Sequence, residues 1–328
     1  MPKNQKLSDK KVLIAELTSD EAKEIFAQNQ IKCDIKYKLP RKKLLEIIAD
    51  YNAIIVRSET KIDQELLDKA KKLEVVGRGG SGVDNIDIDY AEKKGVVVAN
   101  TPRANIISAA EHTVGMILAS CRNMAWASSF IKAGNWDRKR FKGSEVYGKI
   151  LGIIGLGKIG GLVAERIKAF GMKIIAYDPY IKQQRFKRYH AQPMQKLEQL
   201  LKLADIITIH TPRTQETTNM IAEKEIKMMK SGVRLVNVAR GGLFNEQALF
   251  QGMKQGKIAS VGIDVWEKEP QKDHDLYEFN TVLGTPHLGA STFEAQARVA
   301  TQVAEQIIEV FHGNKLPKYA LNKVSFKK

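Results

Sequence analysis

The sequence predicts an α/β protein built on doubly wound parallel sheets, and three observations carry that expectation. Short apolar runs alternate with helix-like amphipathic segments along the whole chain, the pattern of repeated strand–helix–strand units. Polar and glycine residues collect directly after the apolar runs, where the carboxyl ends of parallel strands would lie. The run 151–154 breaks at Gly155, Gly157 and Gly160, spaced G-x-G-x-x-G, and helical character resumes from Leu162.

Taken in order, residues 11–15 read as a first strand. Ser19, Asp20 and Glu21 then open a helix with a polar cap and acids in its first turn. Residues 31–37 form a second strand, and a helix after Pro40 ends near Asp50. The strand 53–56 delivers Arg57 and Ser58, and the strand 73–76 delivers Gly77-Arg78-Gly79-Gly80-Ser81-Gly82. A further strand, 96–99, ends at Asn100-Thr101-Pro102. Arg57 and Arg78 thus leave separate strand ends on one rim. They read either as ordinary surface arginines or as two guanidinium forks for one polyanion. The glycines beside Arg78 favour the second, because a loop without side chains offers its N–H groups to an anion.

Residues 106–131 predict one long helix carrying His112, which in a mostly apolar setting reads first as a packing residue. Gly134-Asn135-Trp136 ends it. The second strand series runs through 150–154, 173–177, 206–210, 235–239, 261–265 and 282–284, and a helix over 292–311 follows. In the glycine motif, Gly155 permits the sharp turn, Gly157 lets a pyrophosphate approach the backbone, and Gly160 lets helix and strand pack closely. The helix amino terminus then faces an anion. Asp178, at the end of the next apolar run, stands where an acid would receive ribose hydroxyls. It favours NAD over NADP, with Lys182 and Arg185 nearby.

The 328 residues suffice for two domains, and 43% hydrophobic content is that of an ordinary globular protein. Lys and Arg number 53 against 37 Asp and Glu, a formal charge of +16. The basic residues are dispersed, without an arginine-rich tract or an aromatic-interleaved pattern, so the charge points to anionic small molecules rather than nucleic acid. Arg185-Phe186-Lys187-Arg188 reads as solvated surface. Only Cys33 and Cys121 occur, which argues against a disulfide framework and offers no metal-ligand spacing. Residues 1–11 lack the apolar stretch of a signal peptide, and no run reaches membrane-spanning length, so the expected address is the cytosol and no membrane partner is expected.

Arg240, Glu269 and His287 each follow a strand of the second series. Oxidation of a 2-hydroxy acid requires a grip on the carboxylate, a proton acceptor for the hydroxyl and a hydride acceptor. Arg240 can supply the first and His287 the second; Glu269, paired with His287, would orient the ring and stabilise its protonated form. NAD takes the hydride.

Four segments, Arg57-Ser58-Glu59-Thr60-Lys61, Gly77 to Asp87, Asn237-Val238-Ala239-Arg240-Gly241-Gly242 and His287-Leu288-Gly289-Ala290-Ser291-Thr292, resemble the D-isomer-specific 2-hydroxyacid dehydrogenases. The likeness runs from Val12 to Phe311 and is strongest to members acting on D-3-phosphoglycerate. It implies two lobes, a Rossmann NAD-binding domain over 103–290 inserted in a flavodoxin-like substrate domain formed by 1–102 and 291–328. By the same resemblance Arg240, Glu269 and His287 are the catalytic residues. Arg57 and Arg78 would bind the phosphate, and Gly80 and Val83 lie in the loop over the substrate carboxylate. Lys158, Ile159, Thr211, Pro212, Ala239, Asp264 and Ala290 join Gly155, Gly157, Gly160 and Asp178 as cofactor contacts. The likeness further implies a homodimer through residues 106–138, in which Arg138 reaches the neighbouring subunit's substrate. Ala104 stands where the family commonly has glycine. Because the sequence stops at Lys328, a C-terminal regulatory domain and serine feedback through it are not expected. The expected reaction is NAD-dependent oxidation of D-3-phosphoglycerate to 3-phosphohydroxypyruvate, the entry to serine. The alternatives are another acid (glyoxylate, hydroxypyruvate or D-lactate) and a non-enzymatic NAD-sensing protein of corepressor type.

Overall fold

The structure is a computed structural model that describes residues 6–16, 18–313 and 315–325; the outer ends of the 1–102 and 291–328 segments lie outside the described residues. The chain divides into two compact units, Met1–Asn105 with Ala290–Lys328, and Ile106–Gly289.

In the first unit, strands β1 (Lys11–Ile14), β2 (Lys32–Ile35), β3 (Ala53–Val56), β4 (Val75–Arg78) and β5 (Val97–Asn100) form one sheet. It is parallel throughout, in the order β2-β1-β3-β4-β5. Helices α1 (Glu21–Gln28), α2 (Arg41–Ile47), α3 (Gln64–Lys69), α4 (Ile88–Lys93) and α12 (Phe293–Phe311) flank it. All four residues of β3 and of β5 are buried, as strands covered on both faces require. Burying each such Val or Ile side chain contributes about 1.5–3 kcal/mol. One face packs Leu13, Ile54, Val76 and Val98 against α2 to α4, and the other packs Val12, Ile55 and Val97 against Val303, Ile307 and Val310 of α12. The second packing is close: a Cβ on Gly77 would come 2.5 Å from Val303 Cγ2.

In the second unit, β6 (Ile150–Ile154), β7 (Lys173–Tyr177), β8 (Gln192–Pro193), β9 (Ile206–Ile209), β10 (Val233–Asn237), β11 (Ile258–Ile263) and β12 (Val282–Gly284) pair in parallel in the order β12-β11-β10-β9-β6-β7-β8. The helices are α5 (Ile106–Cys121), α6 (Met124–Lys132), α7 (Lys158–Lys168), α8 (Gln183–Arg188), α9 (Leu197–Leu203), α10 (Glu223–Met228) and α11 (Glu246–Lys254). Both sheets are therefore doubly wound, each reversing direction at one switch point: between β1 and β3 in the first unit, between β6 and β9 in the second.

Three local expectations are corrected. The helix expected over 106–131 is two helices, because Asn123 adopts φ +53°, a left-handed conformation that ends α5 and starts α6 in a new direction. Asp20 precedes α1 with helical backbone angles and no capping side-chain bond, whereas Thr292 does cap α12 through Ala295 N–H. The strands β4 and β5 end at Arg78 and Asn100, so the sheet extends further along those two runs than their apolar residues indicate.

Candidate active site in the second unit

The turn after β6 is built by its glycines. Gly155 has φ +87°, and a Cβ there would lie 2.8 Å from the His210 carbonyl oxygen, so the turn both needs positive φ and closes against the end of β9. A methyl on Gly160 would overlap the Gly155 carbonyl, which is how α7 comes down onto the turn. Gly157 differs: no protein atom lies within 4 Å of where its Cβ would be, and it heads α7 without any side-chain cap. Lys158 and Ile159 are the first residues of that helix. Asp178 follows β7, its Oδ2 accepting from Leu156 N–H at 2.9 Å and its Oδ1 from Tyr180 N–H at 3.1 Å. Arg185, on the same short helix as Lys187 and Arg188, donates from Nε to the Leu156 carbonyl at 2.7 Å and lies over the Tyr189 ring. Its guanidinium is thus engaged by the protein.

On the other side of the switch point, His210 directly follows β9. The imidazole Nε2 lies 3.1 Å from Thr208 Oγ1, while Nδ1 is buried without a hydrogen-bond partner among the described residues. Burial pushes this histidine down to about 3, so it is neutral at any working pH. The Thr211 hydroxyl is likewise buried and without a hydrogen-bond partner among the described residues, and the Pro212 carbonyl accepts from Thr217 Oγ1 at 2.6 Å.

The turn after β10 is braced by Asn237, 1% exposed, whose side chain accepts from Ala239 N–H at 3.0 Å and donates to the Arg240 carbonyl at 2.8 Å. Arg240 Nη1 donates to the Ala239 carbonyl at 2.6 Å. A Cβ on Gly241 would overlap the Trp266 carbonyl, so the Arg240 turn rests directly on the backbone after β11. Trp266 N–H in turn donates to Glu269 Oε1 at 3.0 Å, and Glu269 Oε2 lies 2.8 Å from His287 Nδ1. Arg240, Glu269 and His287 are thereby joined through Trp266. Burial pushes the Glu269 carboxyl up, but the His287 ring and the Trp266 N–H outweigh it and hold the group below the usual carboxylate range. The His287 side chain is 44% exposed, so its ring stays open to a reactant.

His287 itself has φ +56°, unusual for a residue with a side chain, and the support for it comes from Asp264. The Asp264 carbonyl accepts from His287 N–H at 2.8 Å, Oδ1 accepts from Leu288 N–H at 2.7 Å and Thr285 Oγ1 at 2.5 Å, and Oδ2 accepts from Gly289 N–H at 2.9 Å. His112 Nε2 completes this cluster, 3.1 Å from Thr285 Oγ1 and 3.3 Å from Asp264 Oδ1. The Asp264 side chain has no exposed surface; burial raises its carboxyl, yet these donors outweigh burial and hold it low.

Arg138, also in the second unit, is exposed just before a short 3-10 turn at Lys139–Phe141, and the remaining expected residues lie in the first unit. The register pairs Val56 with Arg78, so Arg57 leaves the sheet one step beyond Arg78's neighbour, on the same carboxyl edge. Arg78 folds over its own loop, Nη1 donating to the Gly79 carbonyl at 3.2 Å, and Gly80, with φ +142°, leaves the space that guanidinium occupies. Val83 packs partly buried against the core that holds Ile62 and Ile86. Ala104 is fully buried without positive φ, and its carbonyl accepts from Arg298 Nε at 2.9 Å, so its backbone has no need of glycine. Ala290 opens the second segment of this unit.

Residues 114–289 match the family model for the D-isomer specific 2-hydroxyacid dehydrogenase, NAD binding domain. The chain belongs to the D-isomer-specific 2-hydroxyacid dehydrogenase family. The chain is 46% identical over 303 residues to D-3-phosphoglycerate dehydrogenase of Methanocaldococcus jannaschii, a match covering 92% of this chain and 58% of that one. The chain thus spans somewhat over half the length of the curated relatives it matches. Among solved structures it is similar to the TT0316 protein of Thermus thermophilus, with TM-score 0.89, 29% identity and coverage of 95% and 100%. It is also similar to D-lactate dehydrogenase from Aquifex aeolicus complexed with NAD and lactic acid, with TM-score 0.77, 29% identity and coverage of 92% and 95%.

The second unit is an NAD-binding domain by its family match, and its residues fit that cofactor: an uncapped helix start with open space at Gly157, an orphaned Thr211 hydroxyl beside the turn, and an acid at Asp178. Among the described residues no cluster of His, Cys, Asp or Glu could hold a metal ion, and no helix is long and apolar enough to cross a membrane. Sequence reasoning missed the parts that hold the turns of Arg240, Glu269 and His287 in place, Asn237, Trp266 and Thr285. Their only sequence signal is position, each at or just after a strand end.

Proposed function

We propose that the protein oxidises D-3-phosphoglycerate to 3-phosphohydroxypyruvate with NAD. The observation that carries the chemistry is the joining of Arg240, Glu269 and His287 through the Trp266 backbone, with an imidazole that is half exposed and backed by a carboxylate. In this reading Arg240 holds the substrate carboxylate in a guanidinium fork and polarises the C2 oxygen. His287 Nε2 removes the hydroxyl proton, while Glu269 at Nδ1 fixes the ring and compensates the charge it acquires. NAD supplies the acceptor for the hydride leaving C2. Phosphorylated substrate is supported by Arg57 and Arg78 on one sheet edge beside a glycine loop, with Gly80 and Val83 serving the carboxylate end, and by the name of the M. jannaschii relative.

In the same reading Gly155, Gly157, Lys158, Ile159 and Gly160 bind the pyrophosphate, Asp178 the ribose, and Thr211, Pro212, Ala239, Asp264 and Ala290 the rest of the cofactor, Asp264 through the turn it builds. Residues 1–102 and 291–328 make the substrate domain, and 103–290 the cofactor domain. The protein works in the cytosol as a homodimer; the exposure of Met124 (52%), Ile131 (56%) and Trp136 (79%) supports a second copy covering that surface, with Arg138 alongside.

The test is NADH formation from D-3-phosphoglycerate set against D-lactate and D-glycerate, with Arg57→Ala and Arg78→Ala beside the parent. Preference for the phosphorylated acid that both substitutions weaken supports the reading. Equal use of all three acids, or NADH binding without any turnover, overturns it. Sedimentation that finds only monomer removes the dimer.

A further inference from the structure

We infer that Glu16 is a positioning residue for phosphate recognition, holding the segment 57–60 in the shape that presents Arg57; this rests on the reading of Arg57 as a phosphate ligand. The switch point of the first unit lies between β1 and β3, where ligands of doubly wound sheets bind, and the residues leaving the sheet there are Ala15-Glu16 and Arg57. Beyond Val56 the chain has no strand partner, yet it is fixed at four backbone atoms. Glu16 Oε1 accepts from Thr60 N–H at 2.8 Å and Oε2 from Glu59 N–H at 3.2 Å. From the other side Asn85 Nδ2 donates to the Arg57 carbonyl at 2.9 Å and the Thr60 carbonyl at 2.6 Å.

Glu16 is 8% exposed, and among the described residues no Lys, Arg or His forms an ion pair with it. A buried carboxylate is expensive unless donors compensate it, and the donors supplied here are amides of the segment that starts at Arg57. Ser58 and Glu59 project into solvent and contribute no packing, so the order of this segment depends on the two side-chain clamps. A segment ordered in advance presents its guanidinium without a further entropic cost at binding, which appears in affinity for the group that guanidinium holds and not in the chemical step.

The experiment uses the full chain with Glu16→Gln, Glu16→Ala, Asn85→Asp and Arg57→Ala. It reads kcat and KM for D-3-phosphoglycerate with NAD, kcat and KM for glyoxylate with NADH, and amide hydrogen exchange at Glu59 and Thr60. The expected result is a KM for D-3-phosphoglycerate raised about tenfold in Glu16→Gln and further in Glu16→Ala, with kcat and the glyoxylate constants within about twofold of the parent and faster exchange at both amides. Should Glu16→Ala fail to fold, Asn85→Asp, which sets a carboxylate against the same two carbonyls, must give the same split. A KM left unchanged by the Glu16 variants while Arg57→Ala raises it overturns the inference, as does an equal loss on both substrates. If Arg57→Ala itself leaves the KM unchanged, the phosphate reading fails, and unchanged exchange at Glu59 and Thr60 then removes the clamp as well.

Discussion

Replacing Gly157 by alanine separates what the fold requires from what the cofactor requires. The backbone there has φ −68° and ψ −153°, open to any residue, and a methyl would meet no protein atom within 4 Å. Alanine is a poorer helix cap than glycine, at a cost of roughly 0.5–1 kcal/mol, but it removes about 0.4–1 kcal/mol of unfolded-chain entropy. The two effects offset, and the variant should melt within a degree or two of the parent. The cofactor sees something different. The methyl occupies the space in front of the α7 amino terminus, and losing one or two charge-assisted hydrogen bonds of about 1.5–3 kcal/mol each weakens NADH binding by a factor of ten or more. Thermal melting and an NADH fluorescence titration on the same preparation measure both. Unchanged melting together with unchanged NADH affinity would show that the pyrophosphate does not lie on Gly157. Gly160→Ala is the contrast, because its methyl overlaps the Gly155 carbonyl and must lower stability as well.

The neutral His210, whose Nδ1 is buried, makes stability fall with acid. Its folded value of about 3 lies below the ordinary 6.5, so the unfolded state binds more protons and the stability present above 6.5 is lost as pH falls, by about 1.4 kcal/mol at pH 5.5. Unfolding free energies from denaturant titrations at pH 7.5 and 5.5 should converge by that amount in His210→Asn, and an unaltered difference refutes the assignment. Gly241→Ala forces the Arg240 turn off the Trp266 carbonyl, and a displacement near 1 Å should lower kcat/KM about a hundredfold while NADH affinity stays within twofold; steady-state rates with a 2-keto acid decide it. Glu269→Gln removes the negative charge behind His287 and should reduce kcat by on the order of 10²–10⁴ without loss of NADH binding, and a turnover within threefold of the parent would exclude Glu269 from the reaction.

What could be read from the residues alone was whatever is local. Gly155, Gly157, Gly160 and Asp178 sit at fixed places in one strand–turn–helix–strand unit, and Arg240, Glu269 and His287 declare themselves by following strands. The supports are different in kind. Glu16 accepts from amides more than forty positions away, and His112 meets Asp264 and Thr285 from another helix, so no short window contains both partners. The break at Asn123 escaped because the residues on either side of it continue an apolar helical pattern, while the left-handed turn between them is a choice of the backbone. Pairing at Gln192–Pro193 is two residues long and has no apolar run to announce it.

The interrupted makeup of the first unit has a bearing on how the chain matures. Its amino-terminal sheet is translated early and Ala22 and Phe26 of α1 cover part of one face, but the part of that face that Val303, Ile307 and Val310 cover stays open until residues 293–311 have left the ribosome. The segment between is contiguous and carries two cores of its own, so it can condense first. A nascent polypeptide therefore displays a bare valine- and isoleucine-rich surface while the whole second unit is being made, and chaperone capture of ribosome-bound intermediates should concentrate on that surface until α12 arrives.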